Sequence, residues 1–118
     1  MDKHYEFIAV DFDGTLCVNK FPEIGEPKPT VIEYIKKQAA RGSKIILNTC
    51  RENGTRNLLD EAVKWCAAHG IPLDAVNENP FNKYREEFKT LPPRKVYADL
   101  YIDDKAVNVE EIEREALC

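Results

Sequence analysis

Two aspartates and a threonine in this chain each terminate an apolar stretch, a setting that holds a polar side chain firmly in place. Asp11 follows residues 5–10 (YEFIAV), with Asp13 two positions on. Thr49 follows residues 44–48 (KIILN), and Asp103, with Asp104 beside it, follows residues 100–102. Carboxylates gathered from distant parts of a chain can carry proton transfer, nucleophilic attack or metal binding. Three or four of them at one edge do not all stay ionised unaided, because at ~4 Å each like-charged pair costs about 4 kcal/mol at an effective dielectric of about 20. A divalent cation removes that penalty. Mg2+ suits an all-oxygen set, since it takes hard ligands and keeps several waters. The four cysteines (Cys17, Cys50, Cys66, Cys118) form no C-x-x-C pair and have no closely spaced histidine. Zinc spacing is absent, and free thiols are expected.

For these residues to meet, the apolar stretches must be neighbouring strands of one sheet. Residues 5–10, 44–48, 73–77 and 100–102 read as short strands, the first two strongly apolar. Thr30 can cap a helix whose apolar positions Val31, Ile32, Ile35 and Ala39 share one stripe and which Gly42 ends. A second helix is expected to open at residues 53–55, with Leu59, Ala62, Val63 and Cys66 on one face, and to stop at Gly70 and Pro72. Residues 80–93 read as a short helix before Pro92 and Pro93, and residues 106–117 as a terminal helix. Residues 14–29, with three prolines and two glycines, read as irregular connection. Strands alternating with helices predict a single α/β domain over residues 1–118. Its expected architecture is three-layer and Rossmann-like, a parallel sheet with helices on both faces. Ligands of such sheets bind beyond the carboxyl ends of the strands, where Asp11, Thr49 and Asp103 fall.

Residues 11–16, Asp-Phe-Asp-Gly-Thr-Leu directly after a hydrophobic strand, resemble the first motif of the haloacid dehalogenase (HAD) superfamily of phosphotransferases. Thr49, a lysine and the acidic pair 103–104 follow in that superfamily's order, so the resemblance covers nearly the whole chain. It implies hydrolysis of a phosphate monoester with Mg2+. Asp11 would be the nucleophile that forms a transient aspartyl-phosphate, and Asp13 would protonate the leaving oxygen and then deprotonate the attacking water. It also implies that Asp11, the main-chain carbonyl of Asp13 and Asp103 hold the metal. Asp104 would cap the following helix or bind through water, and Asp99 would be a turn residue. Gly14 is expected to turn the chain so that its amide faces the phosphoryl oxygens, and Thr49 to give the same group a hydroxyl donor. Gly14, Thr15, Cys50 and Arg51 make up the expected phosphate side, Arg51 being a substrate contact or a plain surface cation. The neutralising lysine is Lys95, just before the last strand, or Lys83, 20 residues before Asp103. Such a catalyst positions a nucleophile and neutralises spreading charge, because phosphate monoesters hydrolyse extremely slowly in water.

Two other readings stand beside this one. Cys50 and Arg56 satisfy the C-x5-R spacing of cysteine-dependent phosphatases, in which helix-start amides cradle an oxyanion. Glu52 would put an anion inside that cradle, so Cys50 is expected instead to be a small buried residue. A non-catalytic or regulatory metal-binding module on the same fold would also keep Asp11, Asp13, Thr49 and Asp103.

With 17 basic and 21 acidic side chains, the 118-residue chain carries a net charge of −4, which argues against tight non-specific binding to nucleic acid. No aliphatic and aromatic run exceeds four residues, too short for a bilayer-spanning helix. Residues 1–4 lack the start of a secretory signal, and a cytoplasmic location is expected. Neither residues 15–28 nor residues 78–95 are enough to fold a cap domain. The strand-end edge should therefore be open to a phosphorylated small molecule or to an exposed phosphate on a larger substrate. A partner subunit of a homo-oligomer could help enclose a small ester.

Overall fold

A strand whose two faces both meet protein needs apolar side chains at every position, and residues 7–10 are all buried. The structure, a computed structural model, describes residues 3–83 and 94–117. Within them the elements are, in chain order, β1 (Phe7–Val10), β2 (Cys17–Lys20), β3 (Glu23–Pro27), α1 (Pro29–Ala40), β4 (Lys44–Leu47), α2 (Leu58–Ala68), β5 (Ala75–Val76), β6 (Leu100–Ile102) and α3 (Val109–Ala116). Four of the strands form a parallel sheet in the order β5-β4-β1-β6. The chain moves outward from β1 through β4 to β5, then returns to β6 on the other side of β1.

Strand alternation sorts the side chains. Ile8, Val10, Ile45 and Leu47 face α1 and α2, packing with Ile32, Ile35, Ala62 and Cys66 around Phe12 and Leu16. Phe7, Ala9 and Ile46 face the other way and pack against Val96, with Tyr97 and Ala98 beside it. Burial of these side chains supplies the main driving force, at about 1.5–3 kcal/mol for each fully buried large aliphatic or aromatic group. Gly42 and Gly70 follow α1 and α2 with φ of +98° and +73°, the left-handed stop expected of them.

Several expectations need correction. Residues 14–29 are not irregular: β2 and β3 form an antiparallel hairpin with Phe21 and Pro22 at its tip. Gly25 is needed there because a Cβ would lie 2.2 Å from the Val18 carbonyl oxygen, while Pro27 and Pro29 end β3 and begin α1. Proline is tolerated at such places, and its density misreads as disorder of the fold. Lys28, not Thr30, precedes α1, with no side-chain cap. The second helix starts at Leu58 rather than at residues 53–55, and Asn53 caps it from outside by accepting from the Leu59 and Asp60 amides at 3.1 Å each. The 73–77 strand shrinks to Ala75–Val76, since the Asp74 carboxylate accepts the Ile45 amide (2.8 Å) where a strand carbonyl would. The expected helix over 80–93 lies largely outside the described residues, and residues 80–83 form turns.

Helices on both faces are not what the described residues show. α1 and α2 share one face, whereas α3 buries none of its residues. α3 is locally specified: Asn108 Oδ1 accepts from the Glu110 amide at 2.9 Å, with glutamates in the first turn and Arg114 in the last. Ending the chain after Asn108 should therefore move the thermal midpoint by less than about 3 °C, the range of a change that removes no core contact. A larger loss in a melting curve would show that α3 is packed after all.

Candidate functional site

Main-chain register brings the acidic residues together. Val10 pairs with Leu47 on one side and with Ile102 on the other. The ladder runs one step further, the Asp11 amide donating to the Ile102 carbonyl at 2.9 Å and the Asn48 amide to the Val10 carbonyl at 2.8 Å. Asp11 is thus held at the carboxyl end of β1, directly beside the residue after β6. That is where the strand order reverses and a crevice opens in sheets of this kind. One carboxylate oxygen from each of Asp11, Asp103 and Asp104 lies within 4.8 Å of the other two. Asp11 is half-buried, and the other two are exposed.

Thr15 ties this cluster together. Its hydroxyl donates to Asp11 Oδ2 (3.3 Å) and accepts from the Asp104 amide (3.1 Å). The residue is buried, so its expected place against phosphate gives way to that of a strut between two acidic segments. Gly14 has φ +86°, and its amide donates to the Cys17 carbonyl (2.9 Å) rather than facing outward. A Cβ there would lie 2.4 Å from Asp104 Oδ2, so the glycine is what lets Asp104 close onto the cluster. Asp104 therefore stands with Asp103, because residues 103–104 leave the strand into a turn and extended-chain alternation no longer applies. The Asp103 carboxylate also accepts the Lys105 amide at 2.9 Å.

Burial, and then the negative charges of Asp103 and Asp104, push the Asp11 carboxyl up to about 6, against the hydrogen bonds of the Phe12 amide and the Thr15 hydroxyl. Among the described residues no ion pair reaches these three carboxylates. Hard oxygen donors at this spacing, one of them half-desolvated and without a counter-charge, fit a dication.

Asp13 does not join them. Arg51 grips it in a bidentate fork, Nε to Oδ2 at 2.8 Å and Nη2 to Oδ1 at 2.7 Å. The guanidinium also donates to the carbonyls of Pro22 (3.2 Å) and Glu23 (3.1 Å) at the hairpin tip, and lies against the rings of Phe12 and Phe21. Arg51 is 1% exposed, so it is neither a surface cation nor a free substrate clamp. The Thr49 amide donates to Asn77 Oδ1 (2.8 Å), and the Thr49 hydroxyl accepts the Arg51 amide (3.1 Å). Cys50 is exposed, contrary to expectation, because β4 ends at Leu47 and the chain leaves the sheet before Cys50.

Lys95 Nζ sits 5.4 Å from the centroid of the Tyr101 ring and forms no ion pair with the acidic edge among the described residues. Lys83 lies in the exposed turn that follows Phe81. Lys28, which no spacing singled out, donates to the Gly14 carbonyl at 2.8 Å and so brings its ammonium to the turn after Asp13. Asp99 is a turn residue, as expected, its carboxylate accepting the Phe7 amide (3.0 Å) at the opposite end of β1. Arg56 is paired with Glu61 and Glu23, not turned towards Cys50. Cys17 and Cys66 are buried free thiols, and burial pushes Cys66 up to about 12.

Because folding raises the Asp11 carboxyl from 3.8 to about 6, the folded chain holds that proton more tightly than the unfolded chain. The stability this confers is fully present below the lower value and is lost as pH rises through the higher one. In metal-free protein, the thermal midpoint of Asp11→Asn relative to the unmutated chain should therefore climb by roughly 2–5 °C between about pH 4 and about pH 6.5. A pH-independent difference between the two melting curves would contradict the environment described for Asp11.

No family model and no curated protein matches the chain. Among solved structures it is similar to one described as the conserved protein coded by a locus from Bacteroides thetaiotaomicron, at 36% sequence identity and a TM-score of 0.71. The match covers 98% of this chain and 90% of that one. Identity and coverage at this level show common descent, and the chain belongs to the family of that conserved Bacteroides thetaiotaomicron protein.

Proposed function

We propose that the chain is a capless HAD-like phosphohydrolase that uses Mg2+ and acts on a phosphate monoester through Asp11. One observation carries the reading: Asp11, Asp103 and Asp104, from two strands far apart in sequence, present carboxylate oxygens within 4.8 Å of one another, with Asp11 half-buried. Asp11, Asp103 and Asp104, with the main-chain carbonyl of Asp13, would hold the metal, which when bound would neutralise this cluster and draw an anionic phosphoryl group to an anionic nucleophile. Asp11 Oδ attacks phosphorus, the ester oxygen leaves, and water then releases phosphate from the aspartyl group. Asp13 is the proton carrier next to the nucleophile, and the Thr49 hydroxyl, which accepts the Arg51 amide on one lone pair, keeps its proton for donation. Lys28 is the ammonium best placed to meet phosphoryl charge. A phosphorylated small molecule or an exposed phosphate group is the substrate class that an edge without a cap admits. The three free thiols among the described residues fit a reducing, cytoplasmic setting.

The second reading, a metal-binding module without turnover, is favoured by one feature: both Asp13 oxygens are engaged by Arg51, which restrains the proposed proton carrier. Hydrolysis of p-nitrophenyl phosphate with and without Mg2+ separates the readings. Metal-dependent turnover that falls more than about a thousandfold in Asp11→Asn supports the phosphohydrolase. Mg2+ binding without turnover supports the module. Metal-independent turnover lost in Cys50→Ser would replace both with a thiol mechanism.

A second outcome is expected for Gly14→Ala. Its Cβ would displace Asp104 and meet a strained φ, so Mg2+ affinity measured by calorimetry should drop at least about tenfold. Unchanged affinity would remove Asp104 from the metal set.

A further inference from the structure

We propose that Arg51 is the positioning residue of this site, setting at once the plane of the Asp13 carboxylate, the direction of the Thr49 hydroxyl and the place of the hairpin tip. The inference rests on the phosphohydrolase reading and assigns a role that neither composition nor spacing suggested. Arg51 has five side-chain N–H groups. Four hydrogen bonds engage Nε, Nη1 and Nη2: the two to Asp13 and those to the Pro22 and Glu23 carbonyls. Phe12 and Phe21 flank the guanidinium at 5.1 and 5.2 Å, Phe12 fully buried and Phe21 exposed at the tip. A charge so enclosed does not reach out to bind substrate. It acts through its neighbours.

Those neighbours are the groups that would meet the reacting ester. The fork holds the Asp13 carboxylate in one plane outside the acidic cluster, and Asp13 gives up one of its two Arg51 bonds when it carries a proton. The same residue's main-chain amide occupies one lone pair of Thr49 Oγ1 at 3.1 Å and so directs the hydroxyl proton away from itself. The hairpin, which spans residues 17–27, is fastened by its tip carbonyls to the group that fixes Asp13. Lysine cannot reproduce this, since it lacks the planar fork and has fewer donors.

The test compares two substrates that differ in their need for a proton. p-Nitrophenolate leaves without one, whereas the alkoxide of glycerol 2-phosphate requires it. Turnover of both is measured with Mg2+ for the unmutated chain, Arg51→Lys and Arg51→Met, with near-UV circular dichroism and Mg2+ affinity as checks on folding. If Arg51 positions Asp13, both variants lose at least about a hundredfold in kcat on glycerol 2-phosphate but less than about tenfold on p-nitrophenyl phosphate, with KM little changed. Equal losses on the two esters would reduce Arg51 to a structural part and overturn the inference while leaving the phosphohydrolase standing. A rise in KM at constant kcat would also overturn it, by making Arg51 a substrate contact. Failure of both variants to fold counts against it in the same way. An unmutated chain that hydrolyses neither ester sinks the phosphohydrolase reading, and this inference with it.

Discussion

The ladder between β1 and β6 decides where every charge of the site falls. Val10 opposite Ile102 puts Asp11 beside Asp103, and the Asp11 amide on the Ile102 carbonyl closes the last rung. A slip of one residue would turn the alternation over, sending Ile8 and Val10 away from α1 and α2. The apolar faces and the acidic edge are therefore set by the same register. Burial of the former holds together carboxylates that would otherwise repel.

The fold treats its carboxylates in two ways. Asp13 is given an internal counter-ion in Arg51, buried and bidentate, of the kind whose removal costs about 3–5 kcal/mol because the remaining charge is left unpaired. Asp11, Asp103 and Asp104 have none among the described residues, and Thr15 and Gly14 bring them closer still. Asp11 responds by holding its proton to about pH 6. One group is complete within the chain, and the other is where the proposed cation would sit.

Much of the frame was legible in residue order. The runs YEFIAV and KIILN announce doubly buried strands, and observed β1 and β4 lie inside them. The stripe of Ile32 and Ile35 and the stops at Gly42 and Gly70 follow from helical period and left-handed backbone. The hairpin was not legible, because Pro22, Gly25 and Pro27 serve a tight tip, a close strand approach and a strand end, and composition does not distinguish these from a loop. The exposed Cys50 was missed for a related reason: hydrophobicity predicts burial only while the strand continues, and β4 stops at Leu47.

From residue types alone came the α/β alternation, the strand-end aspartates and the chemistry open to them, since these depend on local period and on what carboxylates do when crowded. Tertiary structure alone decided which acids stand together and which is paired. The Asp104 carboxylate, and not that of Asp13, stands with those of Asp11 and Asp103, and Arg51, 38 residues from Asp13, takes the remaining carboxylate. No local pattern encodes that partition. It follows from the parallel register of distant strands and from a hairpin folding back over their ends, contacts that exist only once the chain has closed on itself.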